Sequence, residues 1–141
     1  AGFRASGKKA VIQRLCEAAA HDLDCDAAEI FDAVMERERL GSTGVGGGVA
    51  IPHARIDGLD RPRGWFARLD SPVDYDAIDD APVDLVFLLL APEAANAEHL
   101  KTLARISRFF RREDRRQRIR ETESPAAIHA LFAAAEKRDA A

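Results

Sequence analysis

Two stretches near the start of the chain repeat apolar residues at helical spacing. In residues 8–20, KKAVIQRLCEAAA, the positions Val11, Ile12, Leu15, Cys16 and Ala19 share one face. In residues 26–38, DAAEIFDAVMERE, the positions Ile30, Phe31, Val34 and Met35 do the same, and Gly41 stops this helix just past Leu40. The period then changes. Val49-Ala50-Ile51 reads as a short strand stopped by Pro52, and residues 65–69 and 83–90 read as two further strands. The last of these, VDLVFLLL, is continuously apolar after Asp84, as a central strand covered on both faces requires. Between them, SPVDYDAIDDAP is acidic and rich in turn residues. Helical spacing returns from residue 94 to about 110, with Leu100, Leu103, Ala104, Ile106 and Phe110 on the apolar side. A final helix starts at Ser124 as N-cap with Pro125 next, and carries Ile128, Leu131 and Phe132. This order predicts a mixed α/β domain with helices packed on a sheet.

Composition narrows the class. With 141 residues, 47% of them hydrophobic and 32% charged, the chain reads as one globular domain spanning 1–141 with a real core. The net charge of −3 disfavours a general nucleic-acid or membrane footprint. The longest purely apolar run, residues 85–91, is far too short to span a bilayer, and no secretion signal pattern occurs. Cys16 and Cys25 lie nine apart in a helical region, which suits neither a zinc knuckle nor a redox pair, so a reduced, cytoplasmic setting is expected. Residues 108–120, RFFRREDRRQRIR, hold seven arginines, but Glu113 and Asp114 interrupt them. A solvated helix face or a docking surface is the expectation, not nucleic-acid binding.

The densest signal is GSTGVGGGVAIPH at residues 41–53, with five glycines within eight residues. No register from 41 to 48 supplies the dinucleotide fingerprint. A P-loop fails because Gly47 stands where lysine belongs. The element before the glycines is helical and the one after is a strand, the reverse of both motifs. Two readings remain: a tight helix-to-strand connection, or a loop whose amides, with the Ser42 and Thr43 hydroxyls, hold a phosphoryl oxygen.

Of the four histidines, His21 and His129 fall at helix ends or surfaces. His53 follows a rigid proline after a short strand, and His99 lies near the start of the helix that follows the core strand. Were strands 49–51 and 83–90 parallel neighbours, both histidines would reach the same edge. No HxH, HxxxH or HExxH spacing accompanies them, so no metal is expected, and no G-x-S-x-G indicates a serine nucleophile.

The run MERERLGSTGVGGGVAIPHAR, then SPVDYDAIDDAPVDLVFLLLAP, then EHLKTLARISRFFR, strongly resembles the IIA proteins of the bacterial phosphotransferase system. The branch is the fructose–mannitol class, in the wording of its nitrogen-regulatory members. The resemblance covers roughly residues 7–137. It implies a fold in which a mixed β-sheet is sandwiched by helices. It also implies a phosphohistidine carrier without cofactor or metal, charged by HPr or a nitrogen-branch paralogue. The downstream partner would be a regulatory target or, alternatively, a IIB domain for sugar uptake; a non-catalytic, phosphorylation-dependent binding domain is a further alternative. By position His53 matches the phosphorylated histidine, as a tele-phosphohistidine. His99 matches the second active-site histidine and Arg37 an arginine of the pocket. Ser42, Thr43 and Gly44 become the expected phosphate-binding residues. The family's additional N-terminal residues are expected to be missing from this chain.

Overall fold

The computed structural model describes residues 7–93 and 96–122, with backbone alone at 96–98. The final helix expected around Ser124, Pro125, Ile128, His129, Leu131 and Phe132 lies outside the described residues. Two helices open the described chain, α1 (Lys8–Leu23) and α2 (Ala27–Leu40). α1 buries Val11, Ile12, Leu15, Cys16, Ala19 and Ala20. Asp24 ends it in the left-handed region, at φ 54°, with its amide on the Ala20 carbonyl. α2 starts at Asp26, whose carboxylate accepts the Ala28 amide, and stops at Gly41.

Five strands follow: β1 (Gly44–Gly46), β2 (Val49–Ala50), β3 (His53–Ile56), β4 (Arg63–Val73) and β5 (Val83–Pro92). The glycine stretch, expected as a loop, folds as a hairpin in which β1 pairs antiparallel with β2. Gly46, Gly47 and Gly48 sit at φ 97°, 66° and 80°, which lets the chain reverse tightly. Gly44 serves differently: a Cβ there would lie 2.8 Å from Ala77 Cα, so the missing side chain permits close packing.

β2 ends at Ala50, just before the Ile51-Pro52 step, and the chain re-enters the sheet as β3 at His53. β2 and β3 both run parallel to β5, with Val49 opposite Leu85 and His53 opposite Leu89. The Pro52 carbonyl accepts the Leu89 amide at 2.9 Å, so the ladder passes through the proline on its acceptor side. His53 is therefore the first residue of β3, in the same register on β5 that β2 set. β4 pairs antiparallel with β5 along its other edge, Phe66 opposite Phe87.

β5 is thus the centre of the sheet, and its side chains divide between two cores. Val86, Leu88 and Leu90 pack with the apolar faces of α1 and α2. Leu85, with Phe87 beside it, packs against Phe109, Phe110 and Ile119. Those residues belong to α3 (Asn96–Arg111) and α4 (Glu113–Glu121). The sheet is sandwiched, one helix pair on each face, as expected.

The arginine-rich segment departs from a solvated face. It bends at Arg112, between α3 and α4, and several of its arginines fasten the fold. Arg120 pairs with both carboxylate oxygens of Asp84 and donates to the Gly47 carbonyl, clamping α4 onto the hairpin. Arg115 is 9% exposed and lies over the Phe109 ring at 4.9 Å. Arg68 of β4 reaches across to donate to the Ile119 and Thr122 carbonyls at the end of α4, where a cation complements the helix dipole. Among the described residues, no helix is long and apolar enough to cross a membrane.

Candidate functional site

His53 is placed by the bond its own strand makes possible. Its Nδ1 lies 2.9 Å from the Ile51 carbonyl. A carbonyl only accepts, so Nδ1 carries the proton and Nε2 keeps its lone pair. The orienting partner is thus a backbone oxygen two residues upstream, across Pro52. No side-chain motif signals such a partner in a sequence.

α3 carries His99 to this position. The two imidazole centroids are 5.5 Å apart and inclined at 47°. His99 is 7% exposed, and its buried Nδ1 has no hydrogen-bond partner among the described residues. α2 lies against β3 and brings Arg37 to the same place, where its Nη1 donates to the Gly41 carbonyl at 2.8 Å. His53, His99 and Arg37 together line an open groove of about 930 Å³, shared with Glu36, Arg55 and Glu93. Arg55 was not singled out from sequence. The available signal was period two: on a strand, residue 55 falls on the same face as residue 53.

Both histidines are held below the ordinary imidazole value. For His53 the main cause is burial, with the Arg37 cation adding to it; the Ile51 carbonyl and the Glu38 carboxylate oppose it. For His99 burial again leads, followed by His53 and Arg55. The neutral, nucleophilic form of both rings is therefore favoured near neutral pH. Two cations and two carboxylates line the groove, a balance suited to holding an anion transiently.

The other three expected phosphate contacts are arranged differently. The Ser42 hydroxyl accepts the Gly44 amide and donates to the Tyr75 carbonyl. The amide and hydroxyl of Thr43 both donate to Glu38. None of Ser42, Thr43 and Gly44 lines the groove; they brace the hairpin behind it. Two exposed leucines flank the histidines instead, Leu40 at 83% exposure and Leu100 at 64%. Apolar side chains so exposed at a groove's rim suit contact with another protein's surface.

The fold and the groove define a helix-sandwiched mixed sheet that presents a paired histidine site near its central strand. Residues 2–135 match the family described as phosphoenolpyruvate-dependent sugar phosphotransferase system, EIIA 2, and the chain belongs to that family. The chain is 45% identical over 131 residues to a nitrogen regulatory protein of Bradyrhizobium diazoefficiens, covering 93% of this chain and 86% of the relative. It is 42% identical over 110 residues to a fructose-specific EIIA component of Haloferax volcanii, covering 78% of this chain and 70% of that one. Among solved structures, the nitrogen regulatory protein IIA-Ntr of Neisseria meningitidis superposes with a TM-score of 0.83 at 35% identity, over 92% of this chain and 89% of that one. The family handles phosphoryl groups, which agrees with a phosphotransferase in the broad sense.

Proposed function

We infer that the protein is a phosphohistidine carrier, accepting a phosphoryl group on Nε2 of His53 from phosphorylated HPr or a nitrogen-branch paralogue. The observation that carries this reading is the 2.9 Å bond from Nδ1 to the Ile51 carbonyl, which leaves Nε2 as the available nucleophile beside His99 and Arg37. In the transfer, Nε2 forms a bond to phosphorus as the donor's N–P bond breaks, and the electron pair of that bond returns to the donor's imidazole. Little covalent chemistry is left to the protein, so catalysis is positioning and charge stabilisation. The Arg37 guanidinium offers a planar fork to the equatorial oxygens, and His99 offers an N–H. The open groove and its leucine rim suit a donor that is itself a protein.

The reaction needs the neutral imidazole. Because the His53 pKa is lowered from 6.5, the rate of phosphoryl acceptance is expected to climb with pH through a midpoint below 6.5 and to level off above it. Initial rates measured from about pH 5 to about pH 8, at fixed donor, check this. A midpoint above 6.5 would contradict the geometry described for the ring.

A regulatory role is favoured by the nitrogen regulatory relatives, and a second reading, sugar uptake through a IIB domain, by the fructose-specific one. Competition between phosphodonors separates them. The nitrogen-branch paralogue is expected to phosphorylate the protein faster than sugar-branch HPr; the opposite order favours the sugar reading.

A further inference from the structure

Glu38 stands out as a charged residue on the buried stripe of α2, four residues beyond Val34 and only 6% exposed. Its carboxylate is surrounded by donors. Oε1 accepts the Tyr75 hydroxyl at 2.9 Å and the Thr43 hydroxyl. Oε2 accepts the Thr43 amide at 3.1 Å and lies 3.1 Å from the Lys8 ammonium, which also stands 4.7 Å over the Tyr75 ring. A carboxylate this buried persists only when its lone pairs are matched by donors, and this one draws them from α1, β1's approach and the segment after β4.

What it holds still is Thr43. The Thr43 carbonyl accepts the Ile51 amide at 3.0 Å, and the Ile51 carbonyl in turn accepts Nδ1–H of His53 at 2.9 Å. Three successive links therefore run from a buried carboxylate to the imidazole. We propose that Glu38 is a positioning residue for His53: by fixing Thr43, and through it Ile51, it sets the imidazole tautomer that leaves Nε2 free. Its consequence for phosphoryl transfer rests on the carrier reading given above, whereas its effect on the tautomer does not.

The tautomer of His53 can be read directly in the unphosphorylated full chain, by two-bond 1H–15N correlation of the imidazole. The wild type is expected in the Nδ1–H form. Glu38→Gln keeps the side chain's size but presents an amide NH2 to donors that the carboxylate accepted. A folded Glu38→Gln variant is expected to populate the Nε2–H form. Its phosphoryl-transfer rate at saturating donor should fall about tenfold or more with the donor's KM little changed, because a mis-set tautomer weakens the nucleophile and not the docking. An unchanged Nδ1–H population in that folded variant overturns the proposal.

If Glu38→Gln does not fold, the Thr43 pair carries the same test. Thr43→Val removes the hydroxyl link to Glu38 and is expected to shift the tautomer, and Thr43→Ser to restore it. Equal tautomer populations in Thr43→Val and the wild type overturn the proposal. If the wild type accepts no phosphate from any donor, the carrier reading fails while the tautomer measurement still decides the role of Glu38.

Discussion

His53→Ala is expected to abolish phosphoryl uptake from a phosphorylated donor while leaving the fold in place. The wild-type product should be acid-labile and base-stable, the signature of a phosphoramidate, and the variant should carry none of it. The loss is total because the acceptor atom itself is removed, and no neighbouring group replaces it: His99 sits 5.5 Å away with a ring that is 7% exposed. The fold should survive because His53 is only half-buried at the start of β3, and its backbone pairing opposite Leu89 needs no side chain. A stability change within about 1 kcal/mol is the expectation for such a site, measured by chemical denaturation. Label that persists in a folded His53→Ala protein would move the acceptor elsewhere.

The second large effect is expected at Arg37. Arg37→Ala should slow transfer by about two orders of magnitude, the usual cost of deleting one donor aimed at developing negative charge. Arg37→Lys should recover only part of that, since an ammonium cannot present two parallel donors to a phosphoryl group. His99→Ala should also slow transfer, by a smaller factor of about ten, because it supplies one neutral donor. The Arg37 contact to Gly41 is exposed, so its loss should cost little stability. Single-turnover rates, with far-UV circular dichroism as the folding control, decide these outcomes. Wild-type rates in folded Arg37→Ala and His99→Ala variants would remove both residues from the chemistry.

Much of this architecture was legible because its signals are local or strongly periodic. β5 announced itself by an unbroken apolar run, and both helices of one face by their spacing. The meeting of His53 and His99 was legible only on the condition that strands 49–51 and 83–90 are parallel neighbours, and β2 and β3 both meet that condition on β5. The misreadings have particular physical causes. At Pro52 the strand does break, but the pattern missed that the chain re-enters the sheet at His53 in the same register, with the proline carbonyl accepting the Leu89 amide. The glycines looked like a loop because hairpins usually show alternating apolar residues, and β1 is three residues long. The arginines of residues 108–120 looked solvated, although Arg120 finds a partner distant in sequence at Asp84 and Arg115 folds back onto Phe109 across the bend.

At the site, the histidines were visible by type and position, while their supports were not. The Ile51 carbonyl is a backbone atom and leaves no trace in residue identity. Glu38 did leave one, a carboxylate in register with Ile30 and Val34 on an apolar face, which is unusual enough to ask what holds it. Ser42 and Thr43 were read outward, toward a ligand, because small hydroxyl residues beside glycine suit phosphate. The structure turns them inward, onto Tyr75 and Glu38. That inward turn leaves Arg37, Arg55 and His99, and not Ser42 or Thr43, among the residues that line the groove with His53.

The central claim is that Nε2 of His53 bears the phosphoryl group. The most direct measurement is heteronuclear NMR of the 15N-labelled protein after phosphorylation, with the phosphorus coupling assigned to a single imidazole nitrogen. The account predicts coupling to Nε2 of His53 while Nδ1 keeps its proton toward Ile51. Phosphate on Nδ1, on His99 or on no histidine would contradict it.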